Sequence, residues 1–149
     1  MHGKIVDGPN AIILADLVAA LARAKLVIGA HLSERQLSPE WIAAKTNVSR
    51  TRLYELFKPQ GGIARYLQKA RATKLRQLLA QAEMSRFSVG ALCLGVGFAS
   101  ESHGIRRFSE FFSVSPGLYR RQLGDVAASG HTGPASQFDS WMRALNIEF

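Results

Sequence analysis

The sequence contains a single cysteine, Cys93, among its 149 residues. A chain this poor in thiols forms no internal disulfide and no cysteine-rich metal cage, which suits a reducing cytoplasm. Long apolar runs are also missing. Asp16, Arg23 and Lys25 interrupt the longest candidate, so nothing approaches the roughly 18 apolar residues of a membrane span. No basic segment followed by an apolar run and a cleavage site opens the chain. The histidines, His2, His31, His103 and His131, show no metal-ligand spacing. Gly95 and Gly97 read as turn glycines rather than half of a dinucleotide fingerprint, and no Gly-rich phosphate loop is present. The absences point away from an enzyme, a cofactor, a resident metal and a membrane protein.

Acidic residues are scarce in one region only. The whole chain carries 19 Lys+Arg and 11 Asp+Glu, a net of +8. Between Ser49 and Arg121 there are 13 basic and 4 acidic residues, a net of +9, which leaves 6 basic and 7 acidic elsewhere, a net of −1. A field so localised attracts polyanions, and nucleic acid is the default partner. The apolar share of 47% supplies enough side chains for a real core and argues against disorder.

The stretch SVGALCLGVGFASESHGIRRFSEFFSVSPGLYRR, from Ser88 to Arg121, organises the rest. Val89, Leu92, Cys93 and Val96 recur at helical spacing, giving one apolar face. Gly97 supplies the permissive backbone for a tight turn, and Phe98 can plug the angle between two helices. Ser100 is a good N-cap with Glu101 in the following first turn. The second helix turns Ile105 and Phe108 inward and leaves Ser102, His103, Arg106 and Arg107 outside. Pro116 closes the apolar Phe111–Phe112 segment before Leu118 and Tyr119 pack back. The pattern predicts a helix-turn-helix whose exposed second helix is polar and basic.

The pattern Ser88, Leu92, Gly97, Phe98, Ser100, Arg106, Phe108, Pro116, Tyr119, Arg120 resembles the second helix-turn-helix of the AraC/XylS family of bacterial transcription regulators. That family has a partner motif upstream, and Leu37 to Phe57 fits it. Ser38 caps its first helix, Pro39 and Glu40 occupy the first turn, and Trp41 and Ile42 are candidate core residues. Asn47 stands at the turn, where Asn tolerates a left-handed backbone. Ser49 caps the second helix, with Leu53, Leu56 and Phe57 inward and Arg50, Thr51, Arg52, Tyr54 and Glu55 outside. The resemblance implies an all-α fold of two helix-turn-helix subdomains, homeodomain-like units joined by a long connector helix. It covers roughly 26–123.

The connector reads as a helix over 63–81, about 27 Å long at 1.5 Å per residue. Its buried stripe is Ile63, Tyr66, Leu67, Ala70, Leu75, Leu78 and Leu79. Ala72 and Leu75 exchange the large and small residues usual in the family, conserving volume across one turn. Residues 1–25 are expected to form a frayed lead-in and a surplus apolar helix, with Asn10 as its cap. Residues 26–62 form the first unit and 82–123 the second, and 124–149 a small-residue linker followed by a short amphipathic helix. In that tail Phe138, Trp141, Met142 and Leu145 share one face.

The family's base-contacting positions fall on Thr51, Tyr54 and Glu55 in the first unit and on Ser102, His103 and Arg106 in the second. Arg106 can bond bidentately to guanine or clamp a phosphate. Tyr54 can read a base or brace its helix, and Glu55 can accept from cytosine or remain a solvated charge. Ser49, Arg50, Arg52, Ser100, Arg107, Arg120 and Arg121 fit phosphate contacts, while Arg71 can serve structure instead. Gly104 departs from the family's bulky apolar residue, which implies a hole in the core. Ser113 departs from a turn glycine. The resemblance implies a cytoplasmic regulator of transcription that reads duplex DNA in successive major grooves and works with RNA polymerase. An effector-sensing domain or second copy is the expected protein partner, through the N-terminal helix or the tail. The rival reading keeps the fold as a protein-interaction module that no longer reads DNA.

Overall fold

The computed structural model describes residues 9–129, and within them the chain is all-helical, with seven α-helices and no strand. It divides into two compact units at Leu67–Gln68. The expected tail helix around Trp141 and the lead-in before Pro9 lie outside the described residues.

The first unit is built on α1 (Pro9–Ala30), α2 (Pro39–Thr46) and α3 (Arg50–Leu56). Asn10 lies inside the first turn of α1 rather than capping it. Its core-facing stripe is small: Ala20, Ala24 and Ile28 are buried to 1% exposure or less. Alanines let α1 lie close to Ile42, Leu53 and Phe57, all three fully buried. The packing therefore starts at Ala20, upstream of the expected boundary at Leu26, and α1 is continuous through that point. Ile12, Leu14, Val18 and Leu26 are left outside, as surplus apolar surface.

Serine caps set the register of both helices in the motif. The Ser38 hydroxyl accepts from the Trp41 N–H at 3.1 Å and the Ser49 hydroxyl from the Arg52 N–H at 3.1 Å. Each satisfies an amide that a helix start leaves without an intrahelical partner. Asn47 turns the chain with φ 54°, and the Val48 N–H returns to the Ala43 carbonyl at 3.0 Å. Trp41 is only half-buried, edge-on to His31 at 4.9 Å with the Lys45 ammonium over its ring.

Helix α4 (Ile63–Leu79) contributes Ile63, Tyr66 and Leu67 to the first unit, where Tyr66 packs on Phe57 at a ring separation of 4.9 Å. The remainder of α4 belongs to the second unit, with α5 (Val89–Gly95), α6 (Glu101–Phe112) and α7 (Pro116–Ser129). Ala72 and Leu75 are both fully buried there, with Leu92, Cys93, Val96, Phe98, Phe108, Phe112 and Tyr119. Aromatic rings pack together in this small core: Phe108 contacts Phe112 at 4.9 Å and Tyr119 at 5.9 Å.

Five details differ from the sequence reading. Ile105 is half-buried rather than fully inward, and Leu118 is 39% exposed. Pro116 is buried and opens α7, the first-turn position at which a missing amide costs nothing. Helix α7 continues through Gly124 to Ser129, so the start of the expected linker is helical. Gly104 leaves no hole. A Cβ built on it would stand 2.7 Å from Cys93 Sγ, 2.8 Å from Cys93 Cβ and 3.0 Å from the Phe98 ring.

Candidate nucleic-acid interface

The two units share one local plan. In the second, the Ser88 hydroxyl accepts from Ala91 N–H at 3.0 Å and the Ser100 hydroxyl from His103 N–H at 3.1 Å. Gly97 turns the chain with φ 104°, and the Phe98 N–H returns to the Cys93 carbonyl at 3.1 Å. Cap, helix, left-handed turn, cap and helix thus occur twice. In each unit the second helix buries one apolar face and exposes the other: Leu53 and Leu56 are buried in α3, Phe108 and Phe112 in α6.

On the open face of α3, Thr51, Tyr54 and Glu55 are exposed. Tyr54 lies beneath the Arg50 guanidinium at 5.7 Å. The basic residues of this helix each have a carboxylate partner. Arg50 pairs with Glu40 at 3.2 Å, and Arg52 donates to Asp16 of α1. Glu55 forms one wall of a shallow groove of about 300 Å³, otherwise lined by Leu17, Val18, Leu21 and Leu56. The sequence reading missed Asp16 as a partner of Arg52, because two residues 36 positions apart leave no periodic signal.

On α6, Ser102 and Arg106 are exposed, and Arg106 makes no hydrogen bond or ion pair among the described residues. His103 is placed differently. Its ring stands edge-on to Phe98 at 5.6 Å, Nδ1 is buried without a hydrogen-bond partner, and Nε2 lies 3.4 Å from the Arg107 Nε. Burial first, then the charges of Arg107, Arg106 and Arg71, lower its pKa against the opposing pull of Glu110. The imidazole is therefore neutral at neutral pH. Arg107 also pairs with Glu110 at 2.8 Å.

The two terminal arginines of the pattern part company. Arg121 is exposed. Arg120 is half-buried and donates from Nη1 to the Phe87 carbonyl at 2.6 Å and from Nη2 to the Met84 carbonyl at 3.2 Å. Its guanidinium ties α7 to the segment that leads into α5. Arg71 is half-buried, and desolvation lowers its pKa.

The Cys93 thiol is fully buried, and burial together with Glu101 pushes its pKa up to about 11, so it packs as a small apolar residue. Among the described residues no group of three or more His, Cys, Asp or Glu gathers, and no helix is long and apolar enough to cross a membrane.

Residues 42–122, more than half of the chain, match the family model of a helix-turn-helix domain. The transcriptional activator NphR of Rhodococcus sp. is 31% identical over 121 residues, which span 79% of this chain and 35% of that protein. The HTH-type transcriptional regulator GbdR of Pseudomonas aeruginosa is 34% identical over 85 residues, 56% of this chain and 22% of its own. The chain thus spans about a third or less of these relatives. Among solved structures, a transcriptional regulator with an AraC-type DNA-binding domain from Chromobacterium violaceum superposes with a TM-score of 0.65 at 31% identity, covering 73% of this chain and 96% of that one. The C-terminal domain of AraT, a response regulator from Geobacillus stearothermophilus, gives 0.61 at 27% identity, covering 69% and 84%.

Proposed function

The chain belongs to the AraC/XylS family of helix-turn-helix transcription regulators, and from that premise we propose that it binds a specific duplex DNA site and regulates transcription through it. The observation that carries this reading is the repeated exposed helix. Both α3 and α6 begin at a serine cap, show small or polar side chains outward near their starts, and lie in the half of the sequence that holds the positive charge. A major groove admits one such helix, and its base edges display distinguishable donor and acceptor patterns.

In this reading Thr51, Tyr54, Ser102 and Arg106 face base edges, and Arg106, an exposed guanidinium with no internal partner, supplies the strongest single discrimination. Arg50, Arg52, Arg107 and Arg121 take phosphates, with the amides at the Ser49 and Ser100 caps alongside. His103 and Arg120 brace the second unit from within. The two helices occupy successive major grooves, so the protected site covers about two helical turns. On the protein side the reading implies RNA polymerase, and an effector-sensing domain or second copy against the exposed Ile12, Leu14 and Val18 of α1. The rival, a module that has lost DNA reading, drew its support from a gap at Gly104 and from the Trp141 segment. Gly104 is tightly packed, which removes the first argument, and the Trp141 segment lies outside the described residues.

Selection of bound duplexes from a random pool, followed by titration of the best site, tests the proposal. Arg106→Ala is expected to lower affinity for that site by about 1–3 kcal/mol and to relax preference at one base pair. Arg121→Ala should weaken all sequences alike. Failure of the wild-type chain to enrich any sequence overturns the function, and a uniform loss for Arg106→Ala reassigns that residue to a phosphate.

A further inference from the structure

Helix α1 lies outside both helix-turn-helix motifs, yet it touches the first recognition helix in two places. Leu17, Val18 and Leu21 form a groove with Glu55 and Leu56 of α3. One turn away, the Asp16 carboxylate accepts from the Arg52 guanidinium, with side chains 61% and 39% exposed respectively. The other paired arginines of α3 and α6 find their acids inside the motifs themselves: Arg50 with Glu40 on α2, and Arg107 with Glu110 on its own helix. Asp16 is the carboxylate brought to a recognition helix from elsewhere in the fold.

We propose that Asp16 is a built-in competitor for the DNA phosphate that Arg52 would otherwise hold, and so sets the affinity of the first unit. The inference rests on the DNA-binding reading of α3. A guanidinium offers a planar fork that fits one carboxylate or one phosphate well, so a phosphate approaching α3 must displace Asp16. Both groups are partly solvated, and an exposed pair of this kind is weak, so the competition tunes binding without abolishing it. The position of α1 thereby determines how available Arg52 is.

The test is a double-mutant cycle on the full chain at fixed, moderate salt, with duplex affinity as the readout and thermal melting as a check on folding. Asp16→Asn is expected to raise affinity about two- to fivefold. In an Arg52→Gln background the same substitution should produce little gain. Equal gains in both backgrounds would mean a diffuse effect of net charge and would overturn the proposal. So would an unchanged affinity in Asp16→Asn while the wild-type chain binds its selected site. A wild-type chain that retains no duplex overturns the proposed function itself, and this inference with it.

Discussion

At the scale of single residues, Gly104 shows how two similar motifs distribute the same volume differently. In the first unit the helix before the turn presents Ala43, the turn is followed by Val48, and the second helix fills the angle with Leu53, all with exposure of 9% or less. In the second unit the corresponding places hold Cys93, Phe98 and Gly104. The larger side chains sit on the first helix and turn, and the second helix gives way. A methyl group at Gly104 meets Cys93 Sγ at 2.7 Å and Cys93 Cβ at 2.8 Å, and rotation of the cysteine moves the sulfur but not the Cβ. Gly104→Ala should gain about 1 kcal/mol of helix propensity but lose about 1–3 kcal/mol to overpacking, a net destabilisation. Urea melts of Gly104→Ala and of its combination with Cys93→Ala check this. The double variant removes the sulfur contact and keeps the Cβ contact, so it should recover part of the loss, and a more stable Gly104→Ala would show that the contact relaxes freely.

At the scale of elements, the second unit depends on how α7 is fastened. Helix α6 ends at Ser113 in the left-handed region, φ 59°, and Pro116 restarts the chain as α7. Tyr119 enters the core, and the next residue, Arg120, reaches the carbonyls of Phe87 and Met84. Those carbonyls precede the Ser88 cap, so the arginine fixes where α5 begins. Hydrogen bonds to charged groups contribute about 1.5–3 kcal/mol each in favourable cases, and partial exposure places this pair at the lower end. Arg120→Ala is expected to lower stability by about 1.5–3 kcal/mol, whereas Arg121→Ala should change it by less than about 0.5 kcal/mol. Chemical denaturation of the two neighbours distinguishes a fastening role from a phosphate contact. Equal, small effects would return Arg120 to the binding face.

At the scale of the whole molecule, charge distribution matters more than its total. The net of +9 between Ser49 and Arg121 stands beside a net of −1 in the rest. Several of those cations are already engaged internally: Arg50, Arg52 and Arg107 with carboxylates, Arg120 with carbonyls. Exchange of a carboxylate for a phosphate still neutralises DNA charge and releases its counterion. Neutralising about 6–8 phosphates gives a slope of roughly −5 to −7 for log affinity against log salt. Titrations at several salt concentrations measure it, and a slope shallower than about −2 would place the binding surface away from the basic region.

The all-α class, the doubled motif, the serine caps at 38, 49 and 100, and the left-handed turns at Asn47 and Gly97 were legible in the sequence. Each depends on chemistry within a few residues: a hydroxyl three positions from the amide it satisfies, a backbone that tolerates positive φ, an apolar period of one helical turn. The exposure of Thr51, Ser102 and Arg106 followed from the same period. What lay beyond that range required the fold. The buried stripe of α1 proved to be two alanines and an isoleucine rather than its larger residues, because only close approach decides which face is covered. Gly104 is full rather than empty because the volume there belongs to Cys93 and Phe98, on the preceding helix and turn. Asp16 and Arg52, and Arg120 with Phe87 and Met84, are joined across more than thirty positions. Charge pairing and packed volume are properties of neighbours in space, and for these side chains the tertiary structure alone determines who those neighbours are.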